Sequence, residues 1–162
     1  MPDTVKQVQY FHTEVPDNPG EGAKIFTMLK EAGVNLLAYS GFPKGRRAQI
    51  DFIPADVAAF RAAIRKGKLS LVGPKTGFLI QGEDRPGAVA ELIAKLAAAK
   101  INVTACDAVA AGEGRYGAIL WVKPQDVQKA ARVLGAVKEG RPTAAAVGTG
   151  ASQTSAAGSA AA

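Results

Sequence analysis

Apolar and polar positions alternate at roughly period two from Val5 to His12, which predicts a strand. After Asp17-Asn18-Pro19-Gly20 the period changes. Ala23, Ile25, Phe26, Leu29 and Ala32 recur at helical spacing, and Gly33 ends that helix. Leu36 to Phe42 predicts a second strand, Pro43-Lys44-Gly45 a hairpin loop, and Arg47 to Ile53 a third strand. Pro54 is expected to open a second helix, where its missing N–H costs nothing. Val57, Phe60, Ala63 and Ile64 form the apolar stripe of that helix, Gly67 stops it, and Leu69 to Val72 makes a short fourth strand. The order is β-α-β-β-α-β.

The same order then recurs. Asp17-Asn18-Pro19-Gly20 returns as Asp84-Arg85-Pro86-Gly87, at an offset of 67 residues. At that offset Ile25 matches Leu92, Leu29 matches Leu96, and Gly33-Val34-Asn35-Leu36 matches Lys100-Ile101-Asn102-Val103. Pro54-Ala55-Asp56-Val57 matches Pro124-Gln125-Asp126-Val127 at an offset of 70, so the second copy carries three extra residues before that point. Its elements are a strand over Gly77 to Gln81, a helix over Pro86 to Ala99, strands over Val103 to Ala110 and Tyr116 to Val122, and a helix over Pro124 to Leu134. A final strand is weakly written, with Thr143 to Val147 as its candidate.

The fold class expected is α+β: two β-α-β-β-α-β units side by side, an antiparallel sheet with the helices on one face. The units span residues 4–73 and 75–147, joined at Gly73-Pro74-Lys75, a connection short enough for edge strands to pair into one sheet. From residue 148 to 162 the chain is Ala, Gly, Ser, Thr and one Gln, which cannot bury enough surface to offset ordering entropy, so a disordered tail is expected.

Composition narrows the chemistry. With 48% apolar and 21% charged residues the chain can build a core. One Cys excludes an internal disulfide and CxxC chemistry, and one His excludes a His-rich metal site, so no metal or cofactor is expected. The net charge of +6 divides evenly between residues 1–74 and 75–162, which reads as a solvated face and gives no reason to expect nucleic acid. No apolar run approaches a membrane span, and the N-terminus has no basic region followed by an apolar stretch, so a cytoplasmic protein with no membrane partner is expected. A nucleophile would need a base in reach, and the candidates reduce to Cys106 or a Ser with His12. Cys106 stands where the first copy has Tyr39 and reads as a small buried hydrophobe. Catalysis is not expected.

The repeated turn is the strongest signal. It opens a helix, where free N–H groups and the positive dipole end suit a carboxylate. Asp17 and Asp84 could cap that helix or hold an ammonium. Asn35 and Asn102, at the change from helix to strand, can donate and accept, or simply shape the turn.

These residues resemble the ACT domain, in tandem, from the N-terminus to about Leu134. Acylphosphatase, RNA-recognition and heavy-metal-carrier folds share the element order, but the chain lacks the phosphate loop, the aromatic-rich third strand and the CxxC that each requires. The resemblance implies a ferredoxin-like fold for each unit and a small-molecule ligand, an amino acid, at the interface of two units. Its site would be the strand-to-helix turn of one unit and the helix-to-strand Asn of its neighbour. Asp17, Asn18, Pro19 and Gly20 would then face Asn102 and Val103, and Asp84, Arg85, Pro86 and Gly87 would face Asn35 and Leu36. A homodimer and a partner enzyme are expected. The alternative is a regulatory or interaction subunit of a metabolic enzyme complex that binds no metabolite.

Overall fold

Two long strands organise the fold, and both outrun the alternation that predicts them. The computed structural model describes residues 3–138. The elements in chain order are β1 (Thr4–Pro16), α1 (Glu21–Glu31), β2 (Leu36–Lys44), β3 (Arg47–Pro54), α2 (Val57–Lys66) and β4 (Val72–Glu83). They continue with α3 (Ala88–Ala98), β5 (Val103–Gly112), β6 (Arg115–Val122), a 3-10 turn at Pro124–Asp126, α4 (Val127–Leu134) and β7 (Val137–Lys138). The strands form one sheet in the order β2-β3-β1-β4-β6-β5, with β7 beside β1. All its ladders are antiparallel except the short one from β7, parallel to β1 at Lys6 and Gln7. The fold is the α+β arrangement expected, with the helices on one face. The expected strand at 143–147 and the tail from 148 lie outside the described residues.

The expected fourth strand and the linker after it are one element. Strand, connection and strand are expected at Leu69–Val72, Gly73-Pro74-Lys75 and Gly77–Gln81; from Val72 onward β4 is continuous. Proline is tolerated because the register slips there: Tyr10 pairs Lys75 but His12 pairs Val72, leaving Gly73 and Pro74 together opposite Phe11. A bulge removes the need for a ladder donor at Pro74. Gly73 has φ 129, and a Cβ on it would stand 2.9 Å from the Tyr10 carbonyl, so that bulge requires glycine.

Pro54 also differs from expectation. It ends β3, paired with Leu36, and α2 starts three residues later because Asp56 caps it, accepting a hydrogen bond from the Ala59 N–H at 3.0 Å. The three extra residues of the second copy fall in two places. One enters β5 at the register shift between Ala110 and Gly112, and two enter the 3-10 turn before α4.

Alternation sorts the core into layers. Phe11, Phe52 and Phe60 pack with Ile25 and Leu29 under α1 and α2. Phe11 and Phe52 each lie 5.4 Å from the Phe60 ring. Phe78, Ile80, Leu92, Leu96, Leu120 and Leu134 do the same under α3 and α4. A third cluster, Val8, Ile53, Leu79, Ile119 and Trp121, occupies the opposite face at the middle of the sheet. Strand β1 contributes to every layer, and β4 to the last two.

Candidate functional site

Both repeated turns end in a left-handed glycine. Gly20 (φ 93) and Gly87 (φ 85) are the N-caps of α1 and α3, and neither helix has a side-chain cap. Asp17 and Asp84 therefore do not cap. The turns reach the helix through Gly, with open space where a Cβ would project. Asp17, Asn18, Pro19 and Gly20 are exposed, as are Asp84, Arg85, Pro86 and Gly87. The copies differ in how they are held. The Asp84 N–H donates to the Gly114 carbonyl at 2.7 Å, tying that turn to the β5–β6 hairpin. Arg85 forms a two-pronged ion pair with Glu91 on α3. At the first turn, the Asn18 N–H donates to the Pro16 carbonyl at 2.9 Å.

Asn35 and Asn102 each follow the same helix ending. The Gly33 N–H donates to Lys30 and the Val34 N–H reaches back to Leu29; Lys100 and Ile101 repeat the pattern with Ala97 and Leu96. Both Asn side chains are exposed, and Leu36 and Val103 behind them are half-buried at the starts of β2 and β5. Among the described residues no side-chain hydrogen bond engages Asp17, Asn35, Asp84 or Asn102.

Register fixes where these groups stand. Gln9 pairs Thr76, and these two residues are themselves separated by the repeat offset of 67, so a pseudo-two-fold axis passes between them. Leu36 pairs Pro54, which lies level with Gln9 because Phe52 pairs Phe11. Val103 pairs Val122, which lies level with Thr76 because Leu120 pairs Phe78. Both Asn residues thus start their strands at mid-sheet. The turns lie eight residues further along β1 and β4, roughly 25 Å away at the usual strand rise. The chain brings the two Asn to one level and sends the two turns to opposite ends.

On the helix-free face of the first unit, His12 on β1 stands opposite Asp51 on β3, which stands opposite Ser40 on β2. Asp51 is buried and accepts a hydrogen bond from Gln49 Nε2 at 3.0 Å. Burial pushes the His12 pKa down, helped by Lys75 and opposed by Asp51. Cys106 is on β5, three strands from β1, and burial and Asp107 push its thiol up, away from thiolate character. It is not a partner for His12. Among the described residues no group of three His, Cys, Asp or Glu is arranged to hold a metal, and no helix is long and apolar enough to cross a membrane.

One feature escapes any linear motif. A cavity of about 530 Å³ opens between the start of β4, the end of β6 and the start of α4. Its residues come from five separate stretches of chain. The one advance signal is Trp121, the chain's single Trp, on a strand.

No protein family matches the sequence, and no curated protein matches it. Solved structures do. Protein BT0572 from Bacteroides thetaiotaomicron superposes with a TM-score of 0.69 at 16% identity, over 82% of this chain and 88% of that one. The ligand-free regulatory subunit of aspartate kinase from Thermus thermophilus gives 0.58 at 19%, over 83% and 96%. The corresponding subunit from Thermus flavus gives 0.53 at 19%, over 83% and 94%. The chain shares their fold, which is of the ACT type.

Proposed function

We propose that this chain is a regulatory protein that binds a small molecule, an amino acid, between two ACT-type units and has no catalysis of its own. One observation carries the reading. Two copies of an exposed helix N-terminus, each with an Asp and a left-handed Gly, coexist with two exposed Asn residues that no side-chain partner holds. The helix end suits a carboxylate, the Asp an ammonium, and the Asn either. Because turn and Asn stand far apart within the chain, the facing unit comes from a second copy, and the active form is a homodimer. The regulatory role follows the neighbours named as aspartate kinase regulatory subunits, an analogy of fold. The target is then a metabolic enzyme in the cytoplasm, with neither nucleic acid nor membrane involved.

A thermal-shift screen against the common amino acids tests this. A ligand that binds only the native state adds about 2.7 kcal/mol at a hundredfold excess over Kd. Asn102→Ala should then weaken the same ligand five- to hundredfold, about 1–3 kcal/mol. The reading fails if no amino acid shifts the melt, or if Asn102→Ala binds at full strength.

A second reading rests on β2, at the edge of the sheet. It exposes Leu37, Tyr39 and Phe42, with Tyr39 61% exposed. An apolar edge of this kind suits an interaction subunit that packs on an enzyme and binds no metabolite.

A further inference from the structure

The cavity beside Trp121 exists because the pseudo-symmetry is broken there. On the outer flank of β1, strand β7 pairs with Lys6 and Gln7. The equivalent flank of β4 is at Gly73 and Pro74, and no strand pairs with it among the described residues. The chain leaving α2 runs directly into β4 instead of lying alongside it. The cavity fills that missing place and contains none of the repeated turn or Asn residues.

Its lining has a definite chemistry. Lys75 and Lys123 bring two cations, and neither forms an ion pair among the described residues. Thr76, Thr104 and Tyr10 bring hydroxyls. Pro74, Val122 and Val127 supply an apolar wall, together with the Tyr10 and Trp121 rings, which meet edge to face at 5.8 Å. Among the described residues no Asp or Glu lines the cavity. Trp121 is only 7% exposed, and among the described residues no acceptor meets its indole N–H, which is buried against Gly77. Gly77 makes room for the ring: a Cβ at that position would stand 3.2 Å from Nε1.

We infer that this cavity binds a small organic acid with an apolar body, of the 2-oxo acid class, in preference to the corresponding amino acid. Two ammonium groups neutralise the carboxylate. Carbonyl and carboxylate oxygens accept from the Thr76 and Thr104 hydroxyls. The ammonium of an amino acid would meet two lysines and no carboxylate. The volume suits a metabolite of that size.

Trp121 is the sole tryptophan, so its fluorescence reads the site directly. The probes are 4-methyl-2-oxopentanoate and leucine, which share a carbon skeleton, titrated into the full chain. The oxo acid is expected to give a saturable change, and leucine a response at least about tenfold weaker, ~1.4 kcal/mol. The exposed pair Lys75→Gln/Lys123→Gln should leave the melting temperature intact and weaken the oxo acid by about tenfold or more. Asn102→Ala should leave it unchanged, which separates this cavity from the inter-unit site. The inference is overturned by no saturable response, by equal affinity for leucine, by full binding in the folded double Lys variant, or by loss of binding in Asn102→Ala.

Discussion

At His12, burial and a neighbouring cation act in one direction. Burial comes first and Lys75 next in lowering the pKa, and Lys44 adds to them; Asp51 and Glu14 oppose. The unfolded chain titrates near 6.5 and the folded one lower. As pH falls, the unfolded state therefore takes up the proton first. This contribution is complete above 6.5 and is lost as pH falls through 6.5 toward the folded value. Because His12 is the chain's only histidine, its imidazole proton signals give the titration without overlap. Their midpoint should lie below 6.5, and His12→Gln should flatten the fall in stability over that window. A midpoint at or above 6.5 would reverse the sign of the argument. Nothing in the linear pattern gives this environment, because Lys75, Asp51 and Lys44 reach His12 from three other strands.

Among the elements, helix endings show how closely the copies follow one plan and where one deviates. At the end of α1 the left-handed position is Gly33 (φ 69), but at the end of α3 it is Lys100 (φ 58). A side chain with a Cβ costs roughly 1–2 kcal/mol there, and glycine costs up to about 1 kcal/mol in unfolded-state freedom. Lys100→Gly should thus stabilise the protein by about 0.5–1 kcal/mol, read as a raised denaturant midpoint with an unchanged slope. An unchanged or lower midpoint would mean that Lys100 makes up the difference elsewhere.

The elements were legible where period and punctuation agree. Helices and hairpins, the repeat and its Asn residues all lie within a few residues of expectation. They were illegible where punctuation misleads. Gly73-Pro74 has the composition of a linker yet forms a bulge inside β4, because what excuses a proline is the register of the partner strand. Pro54 has the mark of a helix start yet ends β3, because Asp56 provides the cap. The turns stand out by their repetition, but their distance from the Asn residues depends on strand pairing, and the cavity depends on a strand absent among the described residues.

For the molecule as a whole, the decisive fact is that β1 serves both halves. The C-terminal part of β1 carries Phe11 and Val15 under α1 and α2, while its N-terminal part carries Val5 under α3 and α4. Phe78 and Ile80 of β4 belong to the second of these cores. Neither helical layer can be lifted off without disturbing a strand the other needs. Unfolding should therefore be one transition, with calorimetric and van't Hoff enthalpies equal. Two separated transitions, each accounting for half of the enthalpy, would refute the shared framework.

The Gln9–Thr76 pair carries one more consequence. At this position the chain meets its own counterpart, as two identical subunits would on crossing an axis. In a dimer of identical subunits, every substitution near the axis is made twice. On one chain, the two sides are free to differ. Tyr10 now answers Gly77, and His12 answers Leu79. A ring on one side rests in the space that a missing side chain leaves on the other, beside the cavity. Two copies on one chain can change independently, as two identical subunits cannot, and the pairs Tyr10/Gly77 and His12/Leu79 are where these have.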